Sequence, residues 1–194
     1  CISNINSNNS NNVKYMSDEL TYGASVFDFD ETVGFSDNVV IASKGLEKLF
    51  IPSYEWPKVG EQLINDGWKM DFDDFNKVTN GSPGPLINKL KNQINKYGNE
   101  WVYILTARHS DSEKAIHEWL LTQNVKLKLE NVIGIGSSSG KAKAEWIQDN
   151  LIKCGMNDIY FVDDAFSNVK AVKDMFEEYP KGFLVKGGKS IITI

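Results

Sequence analysis

Short apolar runs alternate with amphipathic stretches along most of this chain. Tyr22 to Phe29 reads as a first buried strand, and Trp101 to Leu105 is a continuous apolar run of the kind found in parallel sheets. Val132 to Ile135, Ile159 to Val162 and Gly182 to Val185 read as three further strands. Between them the apolar positions recur at helical spacing. Residues 86–97 place Leu86, Leu90, Ile94 and Tyr97 on one stripe, with Gly98 as a stop. Ser110-Asp111-Ser112-Glu113 has capping-box spacing and opens a helix through about Gln123. Lys141 to Ile152 turns Trp146, Ile147 and Leu151 inward, and Ser167 to Glu177 does the same with Val169, Val172 and Phe176. Strands that alternate with helices predict an α/β fold, a Rossmann-like doubly wound parallel sheet.

Two stretches break the rhythm. Residues 1 to about 12 are mostly Asn and Ser, too polar to offset the entropy of ordering, so residues 1–20 read as a flexible tail or linker. Residues 33 to about 80 read as an irregular insert rich in aromatics, among them Phe35, Phe50, Tyr54, Trp56, Trp68, Phe72 and Phe75. Pro52 and Pro57 preclude a long helix there, and Gly81-Ser82-Pro83-Gly84-Pro85 is a strong loop signal. Those aromatics are expected to form the core of the insert rather than a stacking surface. The folded unit is then 21–194.

At 194 residues and 41% hydrophobic content the chain can bury one domain-sized core. A net charge of −5 argues against a general nucleic-acid or membrane-surface binder, though it leaves a local basic site open. No apolar run reaches bilayer length. The two cysteines, Cys1 and Cys154, suggest no disulfide framework and favour a reducing compartment, hence a cytoplasmic location. A start at Cys rather than Met, followed by an Asn/Ser linker, gives the expectation of a domain from a larger parent chain.

Ligands of doubly wound sheets bind beyond the carboxyl ends of the strands, and the chemistry-bearing residues fall there. Asp28 and Asp30 follow the first strand, where period-two geometry can start both on one face. Thr106-Ala107-Arg108 follows the second strand. Lys141 and Lys143 open the helix after the third, and Asp163-Asp164 follows the fourth. Several carboxylates cannot share a site without a cation, and oxygen ligands favour Mg²⁺. A hydroxyl at a helix start and an ammonium suit phosphate oxygens. A carboxylate can attack phosphorus while a second one moves the proton. Together the set suits phosphoryl transfer.

The order FDFDET, ILTAR, KAKAEWI, FVDDAFSN resembles the four motifs of the haloacid dehalogenase-like (HAD) superfamily over residues of about 24–185. The resemblance implies a Mg²⁺-dependent phosphomonoester hydrolase with a small cap between the first two motifs. It makes Asp28 the nucleophile and Asp30 the general acid/base. It gives Thr106 a phosphate-binding role, and Asp163 and Asp164 complete a metal site to which Asp28 and Asp30 also belong, Asp30 through its backbone carbonyl. The motif-three lysine is Lys143 or Lys141, with Lys143 preferred. Arg108 and Asn168 are candidate substrate contacts. The YFVDDAxxNVKAV run and the LTAR turn are similar to HAD domains of tailed-phage proteins. That likeness implies a location in host cytoplasm or virion, and a phage assembly as partner. The phosphorylated substrate can be a nucleotide, a nucleic-acid end or a phosphoprotein. The alternative it leaves open is a structural or assembly module with little turnover.

Gly134 to Lys141 is not a phosphate-binding P-loop, since Ile135 stands at the first glycine position and Ala142 where Ser or Thr is required. It is not a dinucleotide fingerprint either, because it follows the third strand with the wrong glycine spacing. His109 and His117 lack the third ligand that a zinc site needs.

Overall fold

The computed structural model describes residues 22–179 and 184–186. The first strand, β1 (Gly23–Phe27), ends one residue before Asp28. β2 (Gly34–Phe35) leads into the insert, which holds β3 (Val39–Lys44), β4 (Glu47–Pro52), α1 (Trp56–Asn65) and β5 (Lys69–Asp71). β6 (Ser82–Pro83) returns the chain to the core. There α2 (Ile87–Tyr97), β7 (Val102–Thr106), α3 (Glu113–Thr122), β8 (Val132–Gly134), α4 (Gly140–Asn150), β9 (Asp158–Val162), α5 (Phe166–Glu177) and β10 (Leu184–Lys186) follow.

The core sheet is parallel, in the order β10-β9-β1-β7-β8. Side-chain alternation sends each central strand into two separate cores. Phe27, Val102, Ile104 and Val162 pack with Leu90, Ile116, Trp119 and Leu120 of α2 and α3. Ala24, Val26, Tyr103, Leu105, Ile159 and Phe161 pack with Ile147, Val172 and Phe176 of α4 and α5. Helices thus cover both faces, as the near-continuous apolar strands require. From β1 the chain moves outward to β7 and β8, then returns across β1 to β9 and β10. The order therefore reverses beside β1, the point at which sheets of this kind place their ligands.

The insert is not irregular. β4, β3 and β5 form a three-stranded antiparallel sheet with α1 packed on it. Val40, Ala42 and Ile51 form its buried centre, flanked by Trp56, Val59, Leu63, Trp68, Met70 and Phe75. The expected proline roles appear as boundaries: Pro52 closes β4, and Pro57 lies in the first turn of α1, where its missing N–H costs nothing. Phe50, Tyr54 and Phe72 stay exposed, so not every aromatic joins that core.

The insert is closed at its neck. Gly34 and Phe35 of β2 pair with Pro83 and Ser82 of β6. Above this ladder Asn38, fully buried, donates to the Asp74 carbonyl at 2.7 Å and to Thr79 Oγ1 at 3.1 Å, while its own oxygen accepts from the Thr79 amide. Gly84 is required at the junction, because a Cβ there would lie 2.7 Å from the Thr32 carbonyl oxygen.

Two smaller expectations need correction. The capping box does not form: Glu113 Oε1 accepts from the Gly134 amide at 2.9 Å, tying the start of α3 to β8. Its place is taken by a 3₁₀ turn over Ser110–Ser112, with Ser112 Oγ donating to the His109 carbonyl. Tyr97 lies off the buried stripe of α2, exposed beside Lys96. The tail, Cys1 and Gly182 lie outside the described residues. Among those described, no helix is long and apolar enough to cross a membrane.

Candidate active site

The reversal of strand order puts the end of β1 beside the end of β9. Asp28 extends the pairing, its amide donating to the Val162 carbonyl at 2.9 Å. Asp28 and Asp163 thereby emerge from adjacent strands, both buried. Asp28, Asp163 and Asp164 each offer a carboxylate oxygen, and these oxygens lie within 4.8 Å of one another.

Lys143 enters this cluster from the first turn of α4. Its Nζ donates to Asp28 Oδ1 at 2.7 Å and to Asp163 Oδ2 at 2.6 Å, and the lysine is 1% exposed. Burial works against its charge, but Asp28 and Asp163 outweigh it and hold the ammonium protonated. Lys141 is not brought to the cluster. It lies largely in solvent, 3.6 Å from Glu145 one turn along the helix. Successive helical residues turn by about 100°, so two lysines two apart cannot face one site.

The carboxylates are underneutralised. Three negative groups against one ammonium leave a formal charge of −2, and burial makes that costly. Asp28 is pushed well above the usual carboxylate range by burial, and the repulsion of Asp163, Asp164 and Asp30 adds to this against the pull of Lys143. Asp164 is pushed up to about 6 by burial and by Asp163, with a further contribution from Glu31.

The residues fit a hard divalent cation on two counts. The donor set is entirely oxygen, which is what such ions take. In addition, Asn168, buried beside the cluster, donates through Nδ2 to both Asp163 oxygens at 3.0 Å, while its Oδ1 has no hydrogen-bond partner among the described residues. A buried orphan acceptor next to surplus negative charge suits a hydrated ion, whose water can donate to it. The Ala165 amide also donates to Asp163 Oδ1 at 2.9 Å and fixes that carboxylate's orientation.

Asp30 goes elsewhere. Its carboxylate stands outside the three-aspartate group and accepts a bidentate pair from Arg108, at 2.9 Å from Nε and 2.7 Å from Nη2. Arg108, read from sequence as a substrate contact, is 5% exposed and its guanidinium is engaged by protein groups. Thr106 is fully buried at the end of β7, its Oγ1 accepting from the Arg108 amide at 3.2 Å. His109 pairs with Asp111 and His117 with the Leu127 carbonyl, so the histidines are apart from the carboxylates.

Two contributors were not assigned from sequence. Thr32 donates to Asp28 Oδ2 at 3.1 Å, so both Asp28 oxygens are held. Glu31 adopts a left-handed backbone (φ 60°), uncommon for a non-glycine residue. Its carboxylate accepts from Ser53 of the insert at 2.6 Å. The threonine was legible as a hydroxyl four residues after an aspartate; the serine, on a separate element, was not. Compared with protein-family models, with curated proteins and with solved structures, the chain matches none.

Proposed function

We propose that the chain is a Mg²⁺-dependent phosphomonoester hydrolase that works through a phosphorylated Asp28, with the fold and small cap of the HAD-like proteins its motifs resemble. The observation that carries this reading is the cluster of buried Asp28, Asp163 and Lys143 with half-buried Asp164 at the strand-order reversal, which is short of positive charge. A dianionic phosphate needs cations around it, and a carboxylate nucleophile needs them to approach phosphorus. Asp28, Asp163 and Asp164 would hold the ion, with Asn168 accepting from its water; when bound it would neutralise phosphate oxygens as a Lewis acid.

The chain's own groups do the rest. Thr32 and Lys143 fix the two Asp28 oxygens, so one is oriented for in-line attack. An Asp28 oxygen bonds to phosphorus as the bond to the leaving oxygen breaks, its electron pair departing with that oxygen. Asp30 passes a proton to that oxygen. Water then attacks the same phosphorus, the bond to Asp28 breaks with its electrons returning to the carboxylate, and Asp30 takes the water's proton. Lys143 and the Thr106 hydroxyl would donate to the transferring oxygens.

A screen of p-nitrophenyl phosphate, nucleotides, 3′-phosphorylated DNA and phosphopeptides, with and without Mg²⁺, tests the reading. Turnover that needs the metal is expected on at least one. Absence of turnover on all of them would favour a structural module instead.

A further inference from the structure

Arg108 belongs to the core, on the loop after β7, yet most of its hydrogen bonds go to the insert. Nη1 donates to the Phe75 carbonyl at 3.0 Å and to the Lys77 carbonyl at 2.7 Å. Nη2 donates to Ser36 Oγ at 3.0 Å and approaches Asn38 Oδ1 at 3.4 Å. The guanidinium also lies against the rings of Phe75, at 4.7 Å, and Phe29, at 5.2 Å. Ser36 and Asn38 lie on the chain entering the insert; Phe75 and Lys77 lie on the chain leaving it. The remaining donors, Nε and the rest of Nη2, hold Asp30 by the bidentate pair. One buried, planar group thus touches both ends of the insert and the carboxylate two residues from Asp28.

A guanidinium has a fixed fork, so it cannot satisfy the insert carbonyls and Asp30 independently. Displacing residues 75–77 must turn or shift the plane that holds Asp30. Moving Asp30 must loosen the segment by which the chain leaves the insert. We propose that Arg108 is a positioning residue that couples the seating of the insert to the placement of the Asp30 carboxylate. Its catalytic consequence rests on the phosphatase reading above, whereas the mechanical coupling does not. Small substrates, which need no contact with the insert, still feel its seating through this route. Lysine cannot substitute, because a single ammonium has neither the fork nor the flat face.

The test combines hydrogen exchange of the 72–80 amides with kinetics on p-nitrophenyl phosphate and Mg²⁺. Asp30→Asn, which alters a side chain bonded to Arg108 rather than to residues 72–80, is expected to speed exchange of these amides by roughly tenfold. Arg108→Lys should do the same, and should lower kcat by about tenfold or more with KM within about twofold. Phe75→Leu should lower kcat severalfold in the native background and add little once Arg108 is lysine. Unchanged exchange in Asp30→Asn would overturn the coupling, as would kinetic effects of Arg108→Lys and Phe75→Leu that simply multiply. If the native protein hydrolyses no phosphomonoester but Asp30→Asn still loosens 72–80, the phosphatase reading fails and the coupling stands.

Discussion

Lys143 Nζ lies 2.7 Å from Asp28 Oδ1, a pair that joins the first turn of α4 to the end of β1 across 115 residues of sequence. Both side chains are buried, and the same ammonium also serves Asp163. Removing one partner of a buried pair leaves an uncompensated charge. Lys143→Met should therefore cost about 3–5 kcal/mol in urea unfolding without added metal. Lys141→Ala, at an exposed position, should stay within about 0.5 kcal/mol. Equal losses would mean that the buried cluster is held by something other than this lysine.

The sign of the pH response follows from Asp164, pushed from its usual value near 3.8 up to about 6. The folded protein holds this proton more tightly than the unfolded chain. The resulting stability is full below the unfolded value and is lost as pH rises through about 6. Asp28 is shifted in the same direction. Without metal, Tm should fall between pH 5 and pH 7. From Asp164 the loss is on the order of 1 kcal/mol, or roughly 2–4 °C, after discounting for its partial exposure. Asp164→Asn should reduce that fall. Mg²⁺ favours the ionised carboxylates, so it should raise Tm more at pH 7 than at pH 5. Identical pH profiles for the native protein and Asp164→Asn, by differential scanning fluorimetry, would contradict this account.

Gly134 ends β8 against the loop that carries Arg108. A Cβ there would sit 2.5 Å from the His109 carbonyl oxygen and 2.9 Å from that of Arg108, both backbone atoms that cannot rotate away. Gly134→Ala should cost about 1–3 kcal/mol, as overpacking does, and should displace Arg108 with its loop. Thermal unfolding checks the first effect, and loss of Mg²⁺-induced stabilisation checks whether the shift reaches the site. A neutral substitution would mean that the loop is more yielding than this contact implies.

The core elements were legible in sequence because the described strands between helices are buried on both faces. Their apolar runs stand out, and the bounds of β7, β8 and β9 agree within a residue. The carboxylates were legible for the same reason, as polar residues abruptly ending such runs. The insert was not. Its hairpin turns through Gly45-Leu46, with Gly45 at φ 62°, and Leu46 hides the turn by being apolar although fully exposed. Burial in β3 is only partial on one side, and four of the six residues of β4 are exposed, so neither gives a clean alternation. Lys141 and Lys143 could not be separated because the choice depends on the register of α4 against β1. The place of Arg108 depends on a contact with Asp30 spanning 78 residues, and local pattern does not encode such a contact.

The most direct test of the central claim is to acid-quench the protein during turnover with Mg²⁺ and a phosphomonoester, then map any phosphoryl group by peptide mass spectrometry. An acid-stable, alkali-labile phosphoryl group is expected on the peptide containing Asp28, absent together with turnover in Asp28→Asn. A phosphoryl group on another residue, or sustained turnover by Asp28→Asn, would contradict that claim.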